Sequence, residues 1–194
     1  MRKRRIAESR KNVIHPSGEV IFAEWYPPLM VPKLLVEEKR ALILDLNGLL
    51  VHVVEPWQGE VLPEWEEELD KFYMEGGRVV LCPKDSHRFL DWCLQFFHVY
   101  VWSTSRGRKV NAILNQVFSQ QRARMAGALS QEHCARWHWT FYEKPIFFKH
   151  LSQFWRGFPT NTLIIDDSKY KVFQNPEGSW LVFPKMEIQS PEER

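Results

Sequence analysis

The chain has 194 residues, with 26 basic and 24 acidic side chains and a formal charge of +2. That length makes one domain of ordinary size with enough chain for a core, and near-neutrality supplies no field of the kind that draws nucleic acid or a membrane surface. No apolar stretch approaches the ~18 residues of a membrane span, and three cysteines without metal-ligand spacing, Cys82, Cys93 and Cys134, read as free thiols of a reducing compartment.

In chain order, Met1-Arg2-Lys3-Arg4-Arg5 opens with a basic run lacking the apolar centre of a secretory signal. It reads as a solvated terminus, a nuclear-import patch or the start of an organelle-targeting segment. Pro16, Pro27, Pro28 and Pro32 make residues 1–38 an extended lead-in rather than a helix. Ala41 to Asp45 is a short apolar run without helical period, which predicts a buried, parallel strand. Residues 52–77 read as a polar insert. Within it Pro63 to Phe72 predicts a helix, with proline and acids in the first turn, ended by Gly76-Gly77. Arg78 to Leu81 is a short strand, and Lys84 to Phe97 a helix whose apolar face is Phe89, Leu90, Cys93, Leu94 and Phe97.

Val99 to Trp102 predicts the next strand, running into Ser103-Thr104-Ser105. Gly107 to Gln116 resumes a helical pattern through Val110, Ile113 and Leu114. Gln120 to Glu143 carries no clear period. Pro145 to Trp155 reads as a helix with Phe148, Leu151 and Trp155 on one face, Leu163 to Asp166 as a strand, and Ser179 to Phe183 as a last strand stopped by Pro184. The alternation predicts an α/β fold, a doubly wound, mostly parallel sheet with a small insert after its first strand. The domain spans residues 39–186, with the insert at about 53–82 and a polar tail over 187–194.

Two predicted strands end in acid, Leu42-Ile43-Leu44-Asp45 and Leu163-Ile164-Ile165-Asp166-Asp167. Open α/β sheets bind ligands at the carboxyl ends of their strands, and two carboxylate ends together suggest a divalent-cation site. Ser103 follows another strand, and Lys149 lies on the segment before the last acids. Around these groups stand Leu44-Asp45-Leu46-Asn47-Gly48-Leu49-Leu50-Val51-His52, Pro83-Lys84-Asp85-Ser86-His87-Arg88, Val101-Trp102-Ser103-Thr104-Ser105, Lys144-Pro145-Ile146-Phe147-Phe148-Lys149, and Asp166-Asp167-Ser168-Lys169-Tyr170-Lys171, closed by Asn175-Pro176. From about Lys39 to Pro184 this series resembles the haloacid dehalogenase superfamily. Within it, the chain is similar to the C-terminal-domain phosphatases of RNA polymerase II and the wider family of nuclear LIM-interactor-interacting factors. The spelling is closest to plant members, with Cys82 where the family's helix is led by arginine.

The resemblance implies a haloacid-dehalogenase-like sheet and a magnesium-dependent phosphoprotein serine/threonine phosphatase. Asp45 would be the nucleophile, forming an aspartyl-phosphate. Mg2+ would bind Asp45, the backbone carbonyl of Asn47, and Asp166 or Asp167; Asp166 matches the usual ligand position and Asp167 the supporting one. Ser103 and Thr104 would hold phosphoryl oxygens, and Lys149 would hold the phosphoryl group and offset its charge. The partner would be a phosphoprotein or peptide segment.

The first motif departs from the family at Asn47, where a second aspartate acts as general acid and base. An amide does neither, and such catalysis is typically worth ~10²–10⁴ in rate. Leu49, in place of threonine, removes another polar group. A hydrolase impaired on alkyl phosphates is therefore one reading and a pseudophosphatase that binds protein is another. A third is a component of the mitochondrial presequence translocase, a protein-transport role within the same family. The first two fit a nuclear location, the third a mitochondrial one. Asn47-Gly48 is also a deamidation-prone pair, whose slow conversion to aspartate would create activity in aged protein. His133, Cys134 and His138 lack four-ligand zinc spacing. Trp57, Trp65, Trp137, Trp139 and Phe141, among nine tryptophans and thirteen phenylalanines, are either packing or a peptide groove.

Overall fold

The computed structural model describes residues 13–14, 20–21, 40–55, 69–137, 145–154 and 161–185. Two residue pairs, β1 (Val13–Ile14) and β2 (Val20–Ile21), form a small antiparallel ladder. The strand expected at Ala41 is β3 (Arg40–Leu44), whose side chains alternate between two cores. Leu42 and Leu44 face one, and Ala41 and Ile43 the other. A strand with apolar residues on both faces must be covered on both, the condition that makes a central parallel strand.

After β3 comes an antiparallel insert, ordered β4 (His52–Val54), β6 (Val79–Pro83), β5 (Leu69–Tyr73). Here the expected helix over Pro63 to Phe72 is corrected, because its last part is strand. Leu69–Tyr73 pairs in register with Val79–Pro83 across a turn in which Gly76 and Gly77 both hold positive φ, 78° and 76°. Two glycines free to turn that way close a hairpin rather than end a helix. Residues 56–68, with Trp57 and Trp65, lie outside the described residues.

The chain continues through α1 (Lys84–Phe96), β7 (Phe97–Trp102), α2 (Gly107–Val117), α3 (Ser119–Arg122) and β8 (Gly127–Leu129). α1 buries Ser86, Leu90, Cys93 and Leu94; Phe89, expected on that face, is 40% exposed. The unperiodic region holds α3, β8 and β9 (Ala135–Trp137). β9 pairs antiparallel with β10 (Ile146–Phe148). The helix expected from Pro145 to Trp155 is a second correction. Its first part is β10, followed by a 3₁₀ turn over Leu151–Phe154. Phe148 and Leu151 are three apart, a spacing that a strand end and a single turn satisfy as well as a helix does. β11 (Leu163–Asp166), α4 (Lys169–Val172) and β12 (Trp180–Val182) complete the fold.

The main sheet is wholly parallel, in the order β12-β11-β3-β7-β8. From β3 the chain builds outward through β7 to β8, then returns to the other side of β3 for β11 and β12. Strand order therefore reverses between β3 and β11, the crevice where open α/β sheets take their ligands. α1 and α2 help fill one core, with Leu90, Cys93, Val110 and Ile113 against Leu42, Leu44, Val99 and Val101. Tyr100, Trp102, Cys134, Leu151 and Val172 belong to the other. Among the described residues, no helix is long and apolar enough to cross a membrane.

Candidate active site

Register brings the two acids together. Leu44 of β3 pairs with Ile165 of β11, and the Asp45 N–H donates to the Ile165 carbonyl at 2.9 Å. Asp45 and Asp166 thus leave neighbouring strand ends side by side, 1% and 0% exposed. Between them lies Lys149, itself fully buried, whose Nζ donates to Asp45 Oδ1 and to Asp166 Oδ2, the latter at 2.5 Å. Lys149 comes from the loop after β10, and that loop is fixed from below. Its N–H donates to the Lys171 carbonyl at 2.8 Å. Buried Asn175 bridges the loop by donating to the Lys149 carbonyl and accepting from the Leu151 N–H, both at 2.7 Å. Asn175-Pro176 fitted the sequence pattern; this bridging job was not visible there.

A second lysine completes the cluster, and sequence reading passed it over. Lys171 of α4, 8% exposed, sets Nζ 2.9 Å from Asp167 Oδ1, 3.3 Å from Asp166 Oδ1 and 3.8 Å from Asp45 Oδ2. In sequence, Lys169-Tyr170-Lys171 looks like a solvated helix face. The available signal was the four-residue step from Asp167 to Lys171, which puts the pair on one side of a helical turn. Burial acts against the ammonium, but Asp45, Asp166 and Asp167 outweigh it and hold its pKa above the ordinary lysine value. Burial likewise pushes the Asp166 carboxyl up to about 6, against the pull of Lys149. At Asp167 burial is outweighed by its contacts with Asp166, by the Ser168 hydroxyl that donates to it and by Lys171, so its pKa falls below the usual value.

One oxygen from each of Asp45, Asp166 and Asp167 lies within 4.8 Å of the others. Asp45 Oδ2 is buried and accepts no hydrogen bond among the described residues. Three convergent carboxylates, one with an orphaned oxygen, are the donor chemistry a hard divalent cation takes.

Asn47 is half-buried, and its Oδ1 accepts the Val53 N–H at 2.8 Å. Gly48 follows at φ 102°, its N–H donating to the Val51 carbonyl at 2.8 Å. A Cβ there would stand 2.2 Å from Asp167 Oδ2, so glycine is needed both for the turn and for the approach of the acid. Ser103 is buried at the end of β7, next to β3; its N–H donates to the Leu129 carbonyl and its Oγ accepts the Ser105 N–H at 3.2 Å. Thr104 is half-buried beside it.

The remaining candidates have structural work. Burial pushes the Cys82 and Cys134 thiols up to about 12 and Cys93 to about 11, which disfavours the thiolate that nucleophilic chemistry uses. His133 Nδ1 accepts the Ser130 N–H at 3.1 Å in the turn before Cys134, and His138 lies outside the described residues. Trp137 is buried with its ring 4.4 Å from that of Phe148, so it is packing; Trp139 and Phe141 lie outside the described residues. A cavity of about 690 Å³ opens between the insert and α2, lined by Val53, Met74, Arg78, Arg106, Lys109 and Ile113 among others. None of the three acids lines it.

The sequence profile of the NLI interacting factor-like phosphatase family matches residues 40–184. No curated protein matches the chain. Among solved structures, the fission yeast RNA polymerase II CTD phosphatase Fcp1, in a variant bound to beryllium fluoride, is similar with a TM-score of 0.55 and 14% identity, over 77% of this chain and 42% of that one. A further structure of Fcp1, described as an essential RNA polymerase II CTD phosphatase, gives 0.56 and 15% over the same shares, 77% and 42%. At such identities the likeness is one of fold, and this chain spans 42% of the length of the solved chains it matches.

Proposed function

Because the chain belongs to the NLI interacting factor-like phosphatase family, we propose that Asp45 accepts a phosphoryl group in a phosphoprotein phosphatase site of the haloacid dehalogenase type, slowed by the amide at position 47. One observation carries this reading. Asp45 is buried at the strand-order reversal, with Oδ1 gripped by Lys149 and Oδ2 without a hydrogen bond.

An oxygen so placed can attack phosphorus. The P–O bond to the serine or threonine side chain breaks as the Asp45–phosphorus bond forms, and water then opens the resulting acyl phosphate. Lys149, already between Asp45 and Asp166, offsets charge throughout and costs no reorganisation. Ser103 and Thr104 supply hydroxyls at the neighbouring strand end for the phosphoryl oxygens. Mg2+, when bound, would be held by Asp45, the Asn47 carbonyl and Asp166 or Asp167, and would polarise the phosphoryl group.

Neither proton transfer has an agent at position 47. The departing alkoxide must take its proton from water, and the water that resolves the intermediate has no adjacent carboxylate. An aryl oxide leaves without such help. The protein therefore turns over aryl phosphates ahead of phosphoserine, and its second step is slow.

The Asn47–Val53 hydrogen bond favours a second reading, a pseudophosphatase that holds a phosphorylated partner. The amide there serves the loop and needs no chemistry. Fresh protein is assayed with Mg2+ on nitrophenyl phosphate and on a phosphoserine peptide, beside Asp45→Asn. Turnover of the aryl ester that Asp45→Asn abolishes supports the phosphatase. Silence, with beryllium fluoride still binding the wild type and not Asp45→Asn, supports the binder. Equal efficiency on both substrates sinks the proposed role of Asn47.

A further inference from the structure

We propose that Lys171 is the resident cation of the acid triad, a built-in rival of the divalent ion. Its ammonium occupies the position between Asp45, Asp166 and Asp167, and a metal enters only by displacing it. The proposal concerns the same site as the phosphatase reading but stands on charges and distances alone.

Three oxygens converge on Lys171 Nζ, from Asp167 at 2.9 Å, Asp166 at 3.3 Å and Asp45 at 3.8 Å. These residues are the same three whose oxygens cluster within 4.8 Å as a potential metal group. An ammonium offers three donors and no acceptor; Lys171 donates to Asp167 and stands as a positive charge beside Asp166 and Asp45, in the place a hard cation would take. Lys171 is also held in place rather than merely reaching in. Its N–H donates to the Ser168 carbonyl at 3.0 Å and its carbonyl accepts the Lys149 N–H at 2.8 Å, which couples the two lysine-bearing segments.

The charge count leads to the same conclusion. Three carboxylates face two ammonium groups, with one negative charge left over. A site with aspartate at 47, one lysine and a divalent ion would hold four carboxylates against three positive charges, again with one left over. The amide at Asn47 and the amine at Lys171 thus reproduce, without a metal, the balance of the metal-loaded arrangement. A metal added while Lys171 stays seated would bring two more positive charges into a buried cluster, and such charges repel strongly.

The test is a calorimetric Mn2+ titration of the wild type, Lys171→Met, Lys171→Arg and Lys169→Met. Lys169 is exposed on the same short helix and controls for loss of charge. Lys171→Met is expected to bind Mn2+ about tenfold more tightly or better, while the other two stay at the wild-type value. A Lys171→Met protein that folds only when Mn2+ is present supports the same conclusion. On the wild type, ¹⁵N-lysine NMR follows the Lys171 ammonium, whose signal is expected to move on Mg2+ saturation. Equal affinities in wild type and Lys171→Met overturn the proposal. So does a Lys171 signal that stays fixed at saturating Mg2+, which decides the matter if the variant never folds. Neither readout depends on turnover, so a protein that hydrolyses nothing would undo the phosphatase reading and leave this one standing.

Discussion

Replacing Asn47 by aspartate restores a proton carrier and changes almost nothing else in shape. The amide oxygen accepts the Val53 N–H at 2.8 Å, and a carboxylate keeps that contact with the matching oxygen. A hydrogen bond to a charged group contributes about 1 kcal/mol more than a neutral one. Against this, a fourth carboxylate joins three acids balanced by only two lysines. These opposing terms should leave global stability within about 2 kcal/mol of the wild type. Catalysis is expected to move much further. General acid–base assistance is worth about 10²–10⁴ in rate, or about 3–5 kcal/mol of barrier at ~1.36 kcal/mol per tenfold.

The gain should also be selective. A serine alkoxide leaves badly without a proton, so kcat on a phosphoserine peptide should rise by about two to four orders of magnitude. On nitrophenyl phosphate the first step gains little, and the rise should stay about tenfold or less, reflecting only faster opening of the acyl phosphate. Steady-state kinetics on both substrates, with a single-turnover experiment to separate the steps, measure the difference. An equal rise on both would refute the argument. So would no rise in a variant that remains folded and still binds beryllium fluoride.

Gly48→Ala should lose about 1–3 kcal/mol in denaturant unfolding from the positive φ alone; its Cβ, 2.2 Å from Asp167 Oδ2, also drives that acid off Lys171, so an unchanged midpoint contradicts the packing described. Asn175→Ala leaves the Lys149 carbonyl and the Leu151 N–H without a buried partner. At about 1–3 kcal/mol for each orphaned group, it should cost about 2–6 kcal/mol and show faster amide exchange at Leu151; an unchanged midpoint contradicts the bridge. For Asp166, a folded pKa of about 6 against 3.8 means the native state binds more protons between those values. Its contribution to stability therefore falls as pH rises through that window, by up to about 3 kcal/mol. The stability difference between wild type and Asp166→Asn should follow that sign, and a flat difference denies the shift. Deamidation at Asn47-Gly48 should be slow in folded protein, because the Gly48 nitrogen that must attack is held to Val51 and the amide to Val53. Peptide mapping after storage should find conversion in urea-unfolded protein first; equal rates in both would contradict the lock.

Much of the sheet was legible because its strands are short and apolar without helical period. β3, β7 and β11 fall within a residue or two of their expected positions, and α1 and α2 follow from three- and four-residue spacing. The failures share a cause. Leu69–Tyr73 and Ile146–Phe148 are each held by a nearby antiparallel strand, and pairing overrides a local pattern that a helix also satisfies. Within the site, Asp45, Lys149, Asp166 and Asp167 were marked by their motifs. Lys171 was not, because nothing in a Lys-Tyr-Lys run distinguishes a buried lysine from a solvated one until the carboxylates it meets are in place. Phe89 erred the other way, apolar by type yet facing outward from α1.

The cluster itself argues for a ligand, independently of any family. Five ionisable side chains, Asp45, Lys149, Asp166, Asp167 and Lys171, lie almost wholly out of solvent at the end of an apolar sheet. Replacing such buried ion pairs by apolar residues of similar volume is often neutral or stabilising. A fold that needed only a core at this point would be served by leucine or valine, as at Leu44 and Ile164 one residue or two away. Charges whose burial costs desolvation, fixed by a dedicated Asn175 bridge and a glycine turn and leaving Asp45 Oδ2 without a hydrogen bond among the described residues, are the arrangement a charged ligand requires. What position 47 lacks is a carboxylate to move protons to the leaving group. On the proposed function, holding a phosphoryl group and releasing it are separate tasks, and Asp45→Asn and Asn47→Asp test them apart.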